Sequence, residues 1–454
     1  MTQTALRAKL LFYGDDFTGA SDNAAQFARH GLRTQLFFHP PSLEALHEAA
    51  RQCDVVGVAG TARSLDLAAM SEELRPVLQD FAALNIPLVQ YKCCSTFDSS
   101  PQTGSLGHAI QLMQATWPDG LVPVVAAAPE FGRYTVFGHH FARAGADVHR
   151  LDRHPVMSVH PVTPMHESDL RQVLSSQGVE CDAGVDLRCL DQAVDDPSKL
   201  VHPLSNARTA VFDGYTQQHM VTTAAALSAM SKHRPVCAMA SQGLAHGLGQ
   251  HWRESGQTQE PQPIQQLAAT DRLLVLSGSC SALSASQIAY AQREGFVCLR
   301  MDHPAWLEQN PLVLTELQLQ MLQALSSGRS VVIYTALGPD DPSNQTWRNL
   351  SSGWASGELS RRIGQCFSML AGKAFRETGL QRLVVAGGDS SSYTMRALGA
   401  QALQPMASHF SQNAHFSRLV SADASIHGKE VLLKGGQVGA DHLYGLALTG
   451  FGLN

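Results

Sequence analysis

The sequence predicts an α/β protein made of two three-layer domains, each on a mainly parallel sheet, with a cleft between them. Three observations predict it. Short apolar runs alternate with longer stretches of helical spacing along most of the chain, the pattern of strands buried on both faces and joined by helices. The alternation pauses from about Glu254 to Thr270, a stretch rich in Gln, Pro, Thr and Ser. The 454 residues also exceed what one ordinary core holds. The expected organisation is a domain over 1–253, a linker over 254–270 and a second domain over 271–454.

The first element is the apolar run 10–13, which reads as a buried strand ending at Gly14 in two adjacent carboxylates, Asp15 and Asp16. A helix follows. Ala20, Ala24, Phe27 and Ala28 share one helical face, Asp16 or Thr18 can cap it, and Gly31 closes it. Residues 34–38, 54–59 and 87–90 read as the next strands, with helical spacing over 64–84. The runs 122–128, 210–212 and 235–240 complete the first series. Residues 145–165 carry prolines and two His-Pro-Val repeats, at His154 and His160, and read as a long loop or lid. Beyond the linker, 273–276, 296–299, 331–334, 383–386 and 431–433 look like buried strands.

Composition narrows the class. The apolar fraction is ordinary and the charged fraction low, as in a compact α/β protein. A net charge of -6 argues against nucleic acid as a partner, although a cationic pocket for a small anion would not show in it. Nine scattered cysteines without a CxxC pair fit reduced thiols, and no stretch approaches a membrane span or a signal peptide. A cytoplasmic protein without membrane contact is expected.

Two sets of strand ends carry the chemistry. In an open α/β sheet, ligands bind outside the carboxyl ends of the strands. Asp15 and Asp16 sit at such an end, and two like charges side by side cost free energy unless a substrate hydroxyl, a metal or a cation uses them. A purely structural role, Asp16 as cap and Asp15 solvated, explains the same residues. Arg63, in Thr61-Ala62-Arg63-Ser64, ends the third strand and can fork onto a carboxylate. Lys92, Ser95, Thr96 and Asp98 follow the fourth. Together these groups suit a small polyhydroxylated acid.

In the second half, glycine- and serine-rich turns follow three strands. They are Gly278-Ser279-Cys280-Ser281, Gly387-Gly388-Asp389-Ser390 and Lys434-Gly435-Gly436-Gln437-Val438-Gly439. Glycine lets a backbone approach a phosphate, and a helix amino terminus offers free N–H groups. Three such turns suggest a polyphosphate site, with Lys434 as its point charge. Neither a Walker A motif nor GxGxxG is present. The histidines at 139, 140, 154, 160 and 166 lack zinc spacing, so no dedicated metal site is expected, and no GxSxG marks a serine nucleophile.

These motifs, in this order, resemble the four-carbon acid sugar kinase family across both halves. Gly14-Asp15-Asp16-Phe17-Thr18-Gly19-Ala20 is similar to the family's Asp-Asp-Leu-Thr-Gly-Ala signature. Residues 61–64, Lys92 and Ser95-Thr96 fall where its sugar-acid residues lie, and the three turns look like its nucleotide-binding turns. The resemblance implies phosphorylation of a hydroxyl on a small sugar acid by ATP with Mg2+. Asp16 or Asp15 would orient the acceptor hydroxyl and take its proton, Arg63 and Lys92 would hold the carboxylate, and a homodimer is compatible with this reading.

The chain also departs from the family pattern. Cys94 stands where many members have an acid, Asp98 where they have an arginine, and Gly-Gly-Asp-Ser replaces Gly-Gly-Glu-Thr. Residues 150–157 are similar to a branch of 3-oxo-isoapionate kinases. A branched or oxo acid is therefore the expected substrate, and D-threonate or D-erythronate the alternative. A non-catalytic sugar-acid sensor is the rival of another class. A haloacid-dehalogenase-type phosphatase fits less well, because its two aspartates lie two apart and these are adjacent.

Overall fold

The computed structural model describes residues 6–258, 267–301, 311–354, 357–406 and 414–450. The chain divides into two compact units, Met1–Pro263 and Ile264–Asn454. Of the expected linker, residues 259–266 lie outside the described residues. Leu267, beyond them, is buried in the core of the second unit.

The first unit has eleven strands among its described residues. They are β1 (Leu10–Gly14), β2 (Thr34–Phe37), β3 (Val55–Ala59), β4 (Leu88–Lys92), β5 (Val122–Val125), β6 (Arg133–Val136), β7 (His139–Ala144), β8 (Asp147–Arg150), β9 (Ala183–Val185), β10 (Thr209–Phe212) and β11 (Val236–Ala240). Eight form one parallel sheet in the order β2-β3-β1-β4-β11-β5-β10-β9. β1 lies at its middle because the chain builds β2 and β3 on one side and then crosses to β4 on the other. Such a switch of direction opens a crevice at the strand's carboxyl end. The strand ends are level there, with Gly14 opposite both Ala59 and Lys92, and Lys92 opposite Ala240.

Local chemistry explains the turn at that end. Every residue of β1 is buried, and Asp16 caps the helix Phe17–Ala28 by accepting a 2.6 Å hydrogen bond from the Gly19 amide. A side chain at Gly14 would collide with Ala20, so glycine there lets the helix leave the strand at once.

One expectation is corrected. The region read as loop or lid from residue 145 is in part strand, since β8 completes a three-stranded antiparallel sheet with β6 and β7. Two short 3-10 turns, Leu151–Arg153 and Met157–Val159, follow it. The strands had no clear signal because they lie on the surface and bury few side chains.

The described residues of the second unit hold β12 (Leu274–Ser277), β13 (Val297–Arg300), β14 (Val331–Tyr334), β15 (Arg382–Ala386), β16 (Ala402–Pro405), β17 (Phe416–Val420) and β18 (Glu430–Lys434). Their order is β13-β14-β12-β15-β18-β17-β16, parallel up to β18 and antiparallel beyond it. β12, β15 and β18 are thus neighbours, with Ser277 opposite Ala386 and Ala386 opposite Lys434. Among the described residues no helix is long and apolar enough to cross a membrane.

Candidate active site

At the carboxyl end of β1, backbone bonds stitch the strand ends together. The Asp15 amide donates to the Lys92 carbonyl at 3.1 Å, and the Arg63 amide to the Asp15 carbonyl at 3.1 Å. Glu73 holds the Thr61 turn by accepting from its amide at 2.7 Å and its hydroxyl at 2.6 Å, and it also accepts from Tyr13. Glu73 gave no signal in the sequence, since one acid on an amphipathic helix looks like surface.

The paired carboxylates are used by Arg63. Its guanidinium forks onto Asp15, with Nε to Oδ2 at 3.2 Å and Nη2 to Oδ1 at 2.7 Å, while Nη1 reaches Asp16 Oδ2 at 2.5 Å. The fork expected on a substrate carboxylate is therefore made within the protein. Asp15 is buried, whereas the Asp16 side chain is 31% exposed. Burial pushes the Asp15 carboxyl above its usual range, Arg63 opposes this, and Asp16 adds to it. Asp15 thus anchors Arg63, and Asp16 is the carboxylate that faces out.

Lys92 is buried, and its ammonium donates to the Cys93 carbonyl at 2.7 Å. The first carbon of a side chain at Gly19 would lie 2.5 Å from Asp16 Oδ1 and 2.9 Å from Lys92 Nζ, so the lysine reaches the same helix start as Asp16. After β4 the chain makes a tight turn in which buried Phe97 takes a left-handed φ of 55°, a strained conformation for a non-glycine residue. Thr96 Oγ1 donates to Asp98 Oδ1 at 2.5 Å, and Cys94 Sγ lies 2.9 Å from the same hydroxyl. Burial works to raise the Asp98 carboxyl, but Arg63 and the bonds from Thr96 and Cys94 outweigh it and hold Asp98 below the usual range. Asp98 is therefore an anion at neutral pH. Ser95 enters through its carbonyl, 2.8 Å from His140 Nε2. Burial lowers His140 to about 4, so it is neutral.

The second unit brings its three turns together. Ser281 caps the helix Ala282–Arg293, and its hydroxyl donates to the Gly436 carbonyl at 2.6 Å. Ser279 Oγ lies 3.3 Å from Ser281 Oγ. The Gly387 amide donates to the Lys434 carbonyl at 2.9 Å. Gly387, at φ 124°, starts the helix Gly388–Ala397 without a side-chain cap, and its carbonyl accepts from Ser390 and Ser391. A Cβ on Gly436 would stand 2.6 Å from Ser279 Oγ, so the backbone there is as close as glycine allows. Gly388 opens the uncapped helix, Gly435 precedes the close approach, and Gly439 turns the chain at φ 90°. The Asp389 side chain lies outside the described residues.

Lys434 is buried and donates to Ser284 Oγ at 3.3 Å, and burial lowers it to about 8. Ser284 was not anticipated, nor was Gln287, which donates to the Val438 and Ala440 carbonyls and props the last turn. The serine-to-serine spacing 281–284 of a helix cap was the available signal. Uncapped amides, close glycine backbone, hydroxyls and one desolvated lysine fit a polyphosphate. Among the described residues no group of three or more His, Cys, Asp or Glu side chains gathers as a metal site.

Fold and site define an α/β protein with an acid-lined rim in one unit and, in the other, glycine- and serine-rich turns gathered around a buried lysine. Residues 10–248 match the family model of a sugar-binding N-terminal domain, and 274–443 that of a nucleotide-binding C-terminal domain. The chain belongs to the four-carbon acid sugar kinase family and is a sugar-acid kinase. It is 35% identical over 450 residues to a protein of Paraburkholderia graminis named 3-oxo-isoapionate kinase, covering 97% of this chain and 94% of that one. A 3-oxo-tetronate kinase of Pseudomonas savastanoi pv. phaseolicola is 28% identical over 396 residues, 86% of each chain. Two solved structures share the fold. One, from Salmonella typhimurium LT2, has TM-score 0.77 and 22% identity and covers 97% of this chain and 98% of its own. The other, a DUF1537 protein of Haemophilus influenzae, has TM-score 0.74 and 20% identity and covers 96% and 98%.

Proposed function

We propose that the protein transfers the terminal phosphoryl group of ATP to a hydroxyl of a branched 3-oxo sugar acid of the 3-oxo-isoapionate kind. The observation that carries the substrate class is the turn after β4, where Asp98 is an anion held by Thr96. An anion there repels a second carboxylate and accepts hydrogen bonds from hydroxyls or from a hydrated carbonyl. That suits a monocarboxylate with extra polar substituents, and the relative at 35% identity carries such a substrate in its name.

Phosphoryl transfer asks the protein for positioning and charge neutralisation more than for covalent chemistry. Asp16, the exposed member of the pair, orients the acceptor hydroxyl and receives its proton as the oxygen attacks phosphorus. Arg63 fixes Asp16 in place from behind, and Lys92 adds positive charge beside it. In the second unit the turns 278–281, 387–390 and 434–439 hold the phosphates through amides and hydroxyls, with Lys434 as the cation. Mg2+ supplies charge neutralisation on the phosphates and is usually carried by them with its own waters, needing few protein ligands. The nine free cysteines fit a reducing compartment, hence the cytoplasm.

The test is a coupled ADP-release screen of the wild type across tetronates, 3-oxo-tetronates and branched 3-oxo acids. The highest kcat/KM is expected for a branched 3-oxo acid. A clear preference for D-threonate or D-erythronate would reject the substrate while leaving the enzyme class in place.

A further inference from the structure

At the rim of the first unit Lys92 is buried, bonded to the Cys93 carbonyl and set beside Asp16, where its charge serves the acceptor hydroxyl rather than the substrate's own carboxylate. Arg63 is taken up by Asp15 and Asp16, and Asp98 adds a further negative charge near it. A sugar acid must still place a carboxylate there. On the proposed substrate reading, we infer that Arg133, at the start of β6, is the residue that holds that carboxylate.

The placement follows from three contacts. Thr135 and His140 are paired across β6 and β7, and His140 Nδ1 lies 3.0 Å from Thr135 Oγ1. The other nitrogen of His140 meets the Ser95 carbonyl, so this face of the small sheet packs on the turn after β4. Arg133 lies two residues before Thr135 and therefore on the same face. Its backbone is tied to Ala128 by two hydrogen bonds, of 2.9 and 3.1 Å, at the end of the chain leaving β5. Arg133 thus stands between two strand ends of the rim.

Its bonding leaves capacity for an anion. Nη1 donates to the carbonyls of Phe131 at 2.9 Å, Gly132 at 3.4 Å and Arg143 at 3.5 Å. Nε is buried without a hydrogen-bond partner, and among the described residues no carboxylate forms an ion pair with Arg133. The charged groups around it are unfavourable or neutral. Arg143 is a second cation, His140 and His154 are pushed toward neutrality, and Cys94 is a thiol whose burial raises it to about 11. A buried guanidinium N–H without an acceptor costs free energy that a carboxylate would recover. Burial accordingly lowers Arg133 below its ordinary value.

The experiment measures binding of the acid that the wild type turns over fastest, and of its neutral amide, by calorimetry without nucleotide. D-erythronate and its amide serve if no acid is turned over. Arg133→Gln keeps a donor for the Phe131 carbonyl and removes the charge. It is expected to weaken the acid about ten- to a hundredfold, the loss of a charge-assisted hydrogen bond, and to leave the amide within about threefold. Arg133→Lys should recover part of the loss, and in turnover KM for the acid should rise with KM for ATP unchanged. Equal weakening of acid and amide, or no weakening of either, would overturn the assignment and leave Arg133 a structural residue. A wild type that turns over no acid would count against the kinase reading, while the titration still decides Arg133.

Discussion

The two units furnish the carboxyl ends of their parallel strands by opposite means. The first rim is built from full charges that satisfy one another, with Arg63 against Asp15 and Asp16. The second is nearly uncharged, made of glycine amides, serine hydroxyls and one buried lysine. The difference matches the proposed tasks. A rim that handles a proton needs a carboxylate whose position and charge are fixed beforehand. A cradle for a polyphosphate needs many weak donors at close approach, because the ligand brings the charge.

The largest expected effect comes from breaking the charged rim. With Asp16 as the proposed proton acceptor, Asp16→Asn should lower kcat by about a hundred- to ten-thousandfold, with nucleotide affinity unchanged in an equilibrium titration. Asp15→Asn should differ in kind. It breaks the two-pronged ion pair with Arg63 and leaves Asp16 as the arginine's remaining carboxylate, so the melting temperature should fall further than in Asp16→Asn, by a stability loss of about 1–3 kcal/mol. Near-normal turnover in both variants would reject the division of roles between them.

A smaller effect tests the cradle. Gly436→Ala would place a methyl group 2.6 Å from Ser279 Oγ. Overpacking of this kind costs about 1–3 kcal/mol, so nucleotide should bind roughly five- to a hundredfold more weakly. Sugar-acid affinity should not change. Equal loss for both ligands would mean that the variant disturbs the fold rather than the cradle.

The smallest effect is on pH. Burial sets Lys434 at about 8, below its ordinary 10.5. Between these values the unfolded chain holds a proton that the folded one has released, so this residue makes stability rise with pH across that window. Nucleotide affinity should move the other way. A polyphosphate favours charged lysine, so binding takes up a proton above pH 8 and weakens by up to about tenfold per pH unit from there. Lys434→Arg should flatten that decline. A flat wild-type profile from pH 7 to 9.5 would remove Lys434 from the phosphate site.

Much of both rims was legible before folding, and the reason is local. A buried parallel strand is a continuous apolar run, and a ligand-binding turn needs small or charged residues directly after it. Both signals lie within ten residues at Leu10–Gly14 and Asp15, and again at Arg382–Ala386 and Gly387. What was hidden depends on distant pairing. Arg63 meets Asp15 only because β1 and β3 are neighbours in register, and Arg133 meets the rim only because β6 and β7 fold back over the turn at Ser95. The strands of that small sheet are half exposed and carry histidines and arginines, so their alternation was masked.

If the charged rim takes the sugar acid and the nearly uncharged cradle takes the nucleotide, the two ligands must protect different amides. Amide hydrogen exchange of the whole protein reads this out, with a non-hydrolysable ATP analogue and with sugar acid added separately. The analogue should protect amides at 278–284, 387–391 and 434–439 and leave 14–20 unchanged. The acid should protect 14–20, 61–64 and 92–98. Protection of 14–20 by the analogue without protection of 387–391 would place the nucleotide on the first unit instead.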